Sequence, residues 1–126
     1  MNTSNLKNNK YYFGRFQEPN EYRGWLCGSF FNDEHPGKVN DLEVKFAEHK
    51  KGDIEKSHYH QHMIEFLIFL DGKANFKVND ENFIVTKGDF LFIDKNNIIS
   101  AEFIEDTKLF AIHTPSLPMD EVVLSA

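Results

Sequence analysis

Short apolar segments recur along this chain between clusters of turn-forming residues, at 25–31, 42–48, 66–70, 74–78, 83–85, 90–93, 98–103 and 108–113. No segment of helical length holds an apolar period of 3.6 residues, so the pattern predicts an all-β sandwich or barrel. Leu42, Val44 and Phe46 alternate with Glu43 and Lys45, the signature of a half-buried strand. Asp71-Gly72 reads as a hairpin turn of the primed type, and residues 79–82 as a second polar turn. Lys87-Gly88-Asp89 and residues 94–97 supply two more, while Pro115 and Pro118 end the last strand and leave an extended tail.

Four of the first ten residues are Asn and few are apolar, so residues 1–12 are expected to form a flexible N-terminal arm. Residues 13–126 then make a single domain, with no internal repeat and no low-complexity linker. With 126 residues, 40% hydrophobic, and 13 Phe, the chain can bury a core without disulfides or metal staples. Cys27 is the only cysteine and reads as buried and inert. The start of the chain has no apolar leader, and both facts favour a cytoplasmic protein. The longest apolar run, 66–70, is too short to span a bilayer. Twenty acidic against 14 basic residues give a net charge of -6, which repels phosphate backbones and argues against a nucleic-acid partner. Arg15 and Arg23 are the only guanidinium groups, and a local basic pocket for a nucleotide-linked sugar remains compatible with that charge.

The chemistry is concentrated between Gly52 and Gly72, where His58 and His60 are followed by Glu65. Neutral imidazole and carboxylate suit Zn, Fe, Ni or Mn, and three protein ligands leave coordination positions open. On a strand, His58, His60 and His62 share a face, whereas Glu65 falls on the opposite one. A bend or bulge near residues 61–63 is therefore required to bring Glu65 round. His62 is expected to point to solvent, with a ligand role as the lesser reading. His113 reads as a structural histidine, Tyr59 as a packing residue, and His35 and His49 as solvated surface.

The segment resembles the first motif of the cupin family: Gly, five residues, His-x-His, four residues, Glu, six residues, Gly. Gly52, His58, His60, Glu65 and Gly72 match all five fixed positions. The resemblance implies a small antiparallel β-barrel or jelly roll that binds a divalent metal through His58, His60 and Glu65. Lys87-Gly88-Asp89 resembles the opening of the family's second motif, but the position of its histidine holds Ile99. Ile99, Ala101 and Phe103 then make that wall apolar, and His113 is the available substitute. Residues 97–120, with Pro115, Ser116, Pro118 and Asp120, are similar to single-domain cupins found with sugar-nucleotide and surface-polysaccharide proteins. Three functions follow from the resemblance. They are a metal-binding cupin acting on a small molecule, a metal-free sugar-nucleotide isomerase or epimerase using histidine acid–base chemistry, and a non-catalytic sugar-binding module. The expected partner is a small polar molecule, a sugar or nucleotide-linked sugar. Exposed strand edges argue for a homodimer, with residues 11–16 as the segment exchanged.

Overall fold

The computed structural model describes residues 10–124, so most of the expected arm, residues 1–12, lies outside the described part. Ten strands follow in chain order: β1 (Trp25–Cys27), β2 (Glu43–His49), β3 (Ile54–His60), β4 (Ile64–Asp71), β5 (Lys73–Val78), β6 (Glu81–Thr86), β7 (Phe90–Ile93), β8 (Ile99–Phe103), β9 (Thr107–Thr114) and β10 (Glu121–Val123). They form two five-stranded antiparallel sheets, ordered β1-β2-β9-β4-β7 and β10-β3-β8-β5-β6. This is the all-β barrel that the pattern predicts, in the jelly-roll form that the resemblance implies. Among the described residues, no helix is long and apolar enough to cross a membrane.

The inner faces meet in one apolar cluster built from Leu67, Phe69, Phe76, Ile99, Phe103 and Leu109, with small residues between them. Phe76 packs edge-on against Phe69 and Phe103, with ring centroids 5.2 and 5.9 Å apart. Burying each such ring contributes roughly 1.5–3 kcal/mol, so this cluster closes one end of the barrel. The other end is lined by polar side chains.

The alternation in β2 is real, but its polar half faces inward. Glu43, Lys45, Ala47 and His49 point to the interior, and Glu43 is 2% exposed. The apolar half is covered from outside, where Phe16 packs on Phe46 and Phe110 at 5.0 and 4.7 Å. Phe16, which falls in the segment expected to exchange between subunits, thus lies on its own barrel.

Three local expectations change. Asp71-Gly72 is not a hairpin, because β4 pairs with β7 and β9 while β5 pairs with β6 and β8. Gly72 carries the chain from one sheet to the other at φ +96, and a Cβ there would collide with the Asp106 carbonyl oxygen. The first strand stops at Cys27 rather than continuing to Phe31. The tail is not merely extended beyond Pro118, since Glu121–Val123 adds a strand to the edge of β3. The polar turn after β5 stands: Val78 pairs with Glu81, and Asn79 takes the left-handed conformation that Asn tolerates.

Candidate metal centre and its cavity

The parity conflict between His60 and Glu65 is settled by a break in the chain. The strand interrupts at residues 61–63, where the Asp120 carboxylate accepts the backbone N–H groups of His62 and Met63 at 2.8 and 2.9 Å. Those bonds hold the bend, and Glu65 emerges on β4 facing the interior. His58, His60 and Glu65 each present one ligand atom, and these atoms all lie within 4.8 Å of one another. His60 Nε2 stands 3.8 Å from Glu65 Oε2.

A second irregularity acts the same way. The pairing of β3 with β8 slips between Glu55↔Ala101 and His58↔Ile99, so Glu55 also lines the cavity despite its odd spacing from His58. Within the bulge His58 Nδ1 lies 2.8 Å from the Lys56 carbonyl oxygen. A carbonyl can only accept, so Nδ1 carries a proton and Nε2 is the nitrogen left to face the site, 3.6 Å from Glu121 Oε1.

His60 has no hydrogen-bond partner for either ring nitrogen, and both are buried. Burial holds its pKa below the ordinary value against the opposing pull of Glu65, which keeps the ring neutral near pH 7. Glu65 shows the reverse balance. Burial pushes its pKa up, but the hydrogen bond and charge of His113, with His60 and His58 nearby, hold it below the usual range.

His113 sits behind Glu65 instead of joining the ligand trio. Its Nε2 is 2.6 Å from Glu65 Oε2 and its Nδ1 is 3.2 Å from Glu43 Oε2. Burial lowers its pKa, yet the two carboxylates win and raise it to about 9, so both nitrogens donate. The Ser116 hydroxyl donates to Glu43 at 3.0 Å and accepts the Ser29 N–H at 2.8 Å. This chain of bonds fixes the carboxylate of Glu65, as groups behind metal ligands commonly do. His113 is thus structural, as its setting in β9 suggests, but it is structural to the site. His62 does not complete the site: its side chain is 70% exposed and bonds Asp120 at 2.7 Å. On β8, Ile99, Ala101 and Phe103 are buried in the apolar cluster, so they belong to the core and do not line the cavity.

The trio opens on a cavity of about 220 Å³. Glu55, Glu121 and His113 share its polar end, Leu67 and Phe76 close its apolar end, and Lys45 and His49 line one side. The pKa of Glu55 is raised by burial first and then by Glu65 and Glu121. His49 is not solvated surface, since its ring stacks on Phe103 at 4.0 Å and burial lowers its pKa. His35 is half-buried in a loop, edge-on to Tyr12 and Phe31. Sequence reasoning passes over Glu43, Lys45, Glu55 and Glu121. The first two were legible as the polar half of an alternating strand, whereas Glu55 depends on the bulge and Glu121 on a strand hidden behind two prolines.

Comparison with known proteins agrees with this geometry. The sequence profile of the Cupin domain matches residues 45–109, just over half of the chain. A conserved double-stranded β-helix protein from Klebsiella pneumoniae superposes with a TM-score of 0.66 at 14% identity, over 88% of this chain and 92% of that one. KdgF from Halomonas sp. gives 0.60 at 16% identity, over 63% and 74% of the two chains. Streptomyces Pac13 with uridine gives 0.62 at 14% identity, over 69% and 71%, and Pac13 is described as a nucleoside dehydratase. No curated protein matches. At these identities the structural likeness concerns the fold, while the profile match rests on the sequence. The chain belongs to the cupin family.

Proposed function

We propose that this protein binds a divalent metal through His58, His60 and Glu65 and takes a small polar molecule into the adjoining cavity. The observation that carries the reading is His60, a buried imidazole whose two nitrogens lack any hydrogen-bond partner. An unsatisfied buried polar group costs about 1–3 kcal/mol, and a ligand to Nε2 removes that cost at one of the two nitrogens. Two imidazoles and an ionised carboxylate suit Zn, Fe, Mn or Ni. When bound, such an ion supplies Lewis-acid polarisation of a ligand oxygen.

The chain's own groups do the rest. His113 and Glu43 orient Glu65, Leu67 and Phe76 exclude water from one side, and Glu55 presents a carboxyl whose raised pKa suits proton donation. A cavity of about 220 Å³ fits a ligand of sugar size and leaves no room for a whole nucleotide. The likeness to Pac13, solved with uridine, supports a sugar or nucleoside-linked ligand. A metal-free reading draws on the same His60: a neutral, unpartnered imidazole also serves as a general base in an isomerase or epimerase. We also propose a homodimer, supported by Phe90 and Phe92 standing 66% and 51% exposed on the edge strand β7.

Elemental analysis of protein purified from metal-supplemented buffer separates the readings. The metal reading predicts near-stoichiometric metal in the wild type and none in a folded His58→Ala/His60→Ala variant. Metal-free wild type that still turns over nucleotide-linked sugars would favour the general-base reading.

A further inference from the structure

Lys45 lines a second space besides the inner cavity. This is an open groove of about 450 Å³ whose walls include Arg23, Trp25, Phe30 and Pro118. A tight turn builds it. Asn20 Oδ1 accepts the N–H groups of Tyr22 and Gly24 at 2.8 and 3.2 Å, and the Asn20 carbonyl accepts that of Arg23 at 3.2 Å. Gly24, at φ +98, lies so close to β2 that a Cβ would strike the Phe46 carbonyl oxygen. Arg23 is itself left-handed, at φ +54. The other left-handed non-glycine residues described are Asn79 and Asn96, a type that tolerates this conformation. Arginine does not, and strain retained under a charged side chain is characteristic of residues kept for what that side chain does.

Trp25 follows the turn and pairs in register with Lys45, whose Nζ stands 5.5 Å from the indole ring centroid. That contact holds the ammonium where the groove meets the inner cavity. Neither Arg23 nor Lys45 forms an ion pair with a carboxylate among the described residues, although the chain has a net charge of -6. Glu21 is the one carboxylate lining the groove, and it is exposed. Inside, Glu55, Glu65 and Glu121 line the cavity together with Lys45 and His113. Arg23 and Lys45, which pair with no carboxylate among the described residues, meet at the mouth and mark it as the place for an anionic group.

We propose that the Arg23–Trp25–Lys45 groove is a phosphate subsite, which holds the phosphate or diphosphate of a ligand whose uncharged polar end enters the inner cavity. The proposal rests on the reading of that cavity as a small-molecule site and adds the class and orientation of its ligand. A guanidinium with a second cation suits the oxygens of a phosphate, which accept several charge-assisted hydrogen bonds. The groove outside also provides the volume for a nucleotide that the inner cavity denies.

The chain has one tryptophan, so the Trp25 indole N–H gives a single, assignable amide-type signal. The test is a pyrophosphate titration of metal-stripped, ¹⁵N-labelled full-length protein. A saturable shift of that signal is expected, with affinity weakened about tenfold in Arg23→Ala and in Lys45→Ala and partly recovered in Arg23→Lys. Arg23→Gly relieves the backbone while deleting the charge, and should be at least as stable as wild type yet bind as weakly as Arg23→Ala. His58→Ala/His60→Ala should bind pyrophosphate like wild type, so loss of the metal reading leaves this result standing. Absence of a saturable shift, equal affinity in wild type and Arg23→Gly, or citrate binding as tightly as pyrophosphate would overturn the proposal.

Discussion

At the scale of single residues, the site depends on opposed shifts in its histidines. Burial keeps His60 neutral, whereas His113 is held protonated between Glu43 and Glu65, with His60 the nearest further imidazole. The folded pKa of His113, about 9, lies above its unfolded value of 6.5. Its contribution to stability is therefore full below about pH 6.5 and lost as pH rises through about 9. Urea unfolding of metal-free protein should show stability falling across that interval, and His113→Gln should remove the slope. A wild-type profile that is flat from pH 6.5 to 10 would count against the imidazolium bridge. Below pH 6.5 the sign reverses for His60, because the unfolded chain takes up a proton that the folded ring refuses, so its burial costs stability as pH falls.

At the scale of elements, a bulge in β3 and the bend between β3 and β4 make the site. The carboxylate of Asp120 holds the bend between His60 and Glu65, accepting two backbone N–H groups and the His62 ring. Asp120→Ala is expected to cost about 1–3 kcal/mol and to weaken metal retention, although Asp120 touches no proposed ligand. Denaturant unfolding and metal content on the same samples check both effects. Gly72→Ala should destabilise by more than about 1 kcal/mol, since alanine at positive φ is strained and its Cβ meets the Asp106 backbone. The strands were largely legible because β-rich apolar segments between turn residues carry their own signal. Residues 90–93 coincide in sequence and structure, and β4 and β9 extend beyond their apolar runs by one or two residues at each end. What sequence alone could not supply was which face of β2 is covered: Phe16, thirty residues upstream of Phe46, turns its polar half inward. The bend at 61–63 was legible from parity, but the residue that holds it, Asp120, was not, because only the fold brings it there.

At the scale of the whole molecule, an apolar area stands exposed among the described residues on β7. Phe66 stacks on Phe90 at 5.5 Å and meets Phe92 at 6.2 Å on the outer face of β4 and β7. Phe16 screens only the β2–β9 half of that sheet. If two copies associate through β7, light scattering should give a dimer mass for wild type and a monomer mass for Phe90→Asp/Phe92→Asp, and a monomeric wild type would reject this interface. The central claim is that the polar end of the barrel is a metal centre. Its most direct test is anomalous diffraction from crystals grown with zinc or manganese, measured on either side of the metal's absorption edge. A peak bounded by the imidazoles of His58 and His60 and the carboxylate of Glu65 is the predicted result. A map without anomalous signal there, from protein saturated with either metal, would contradict it.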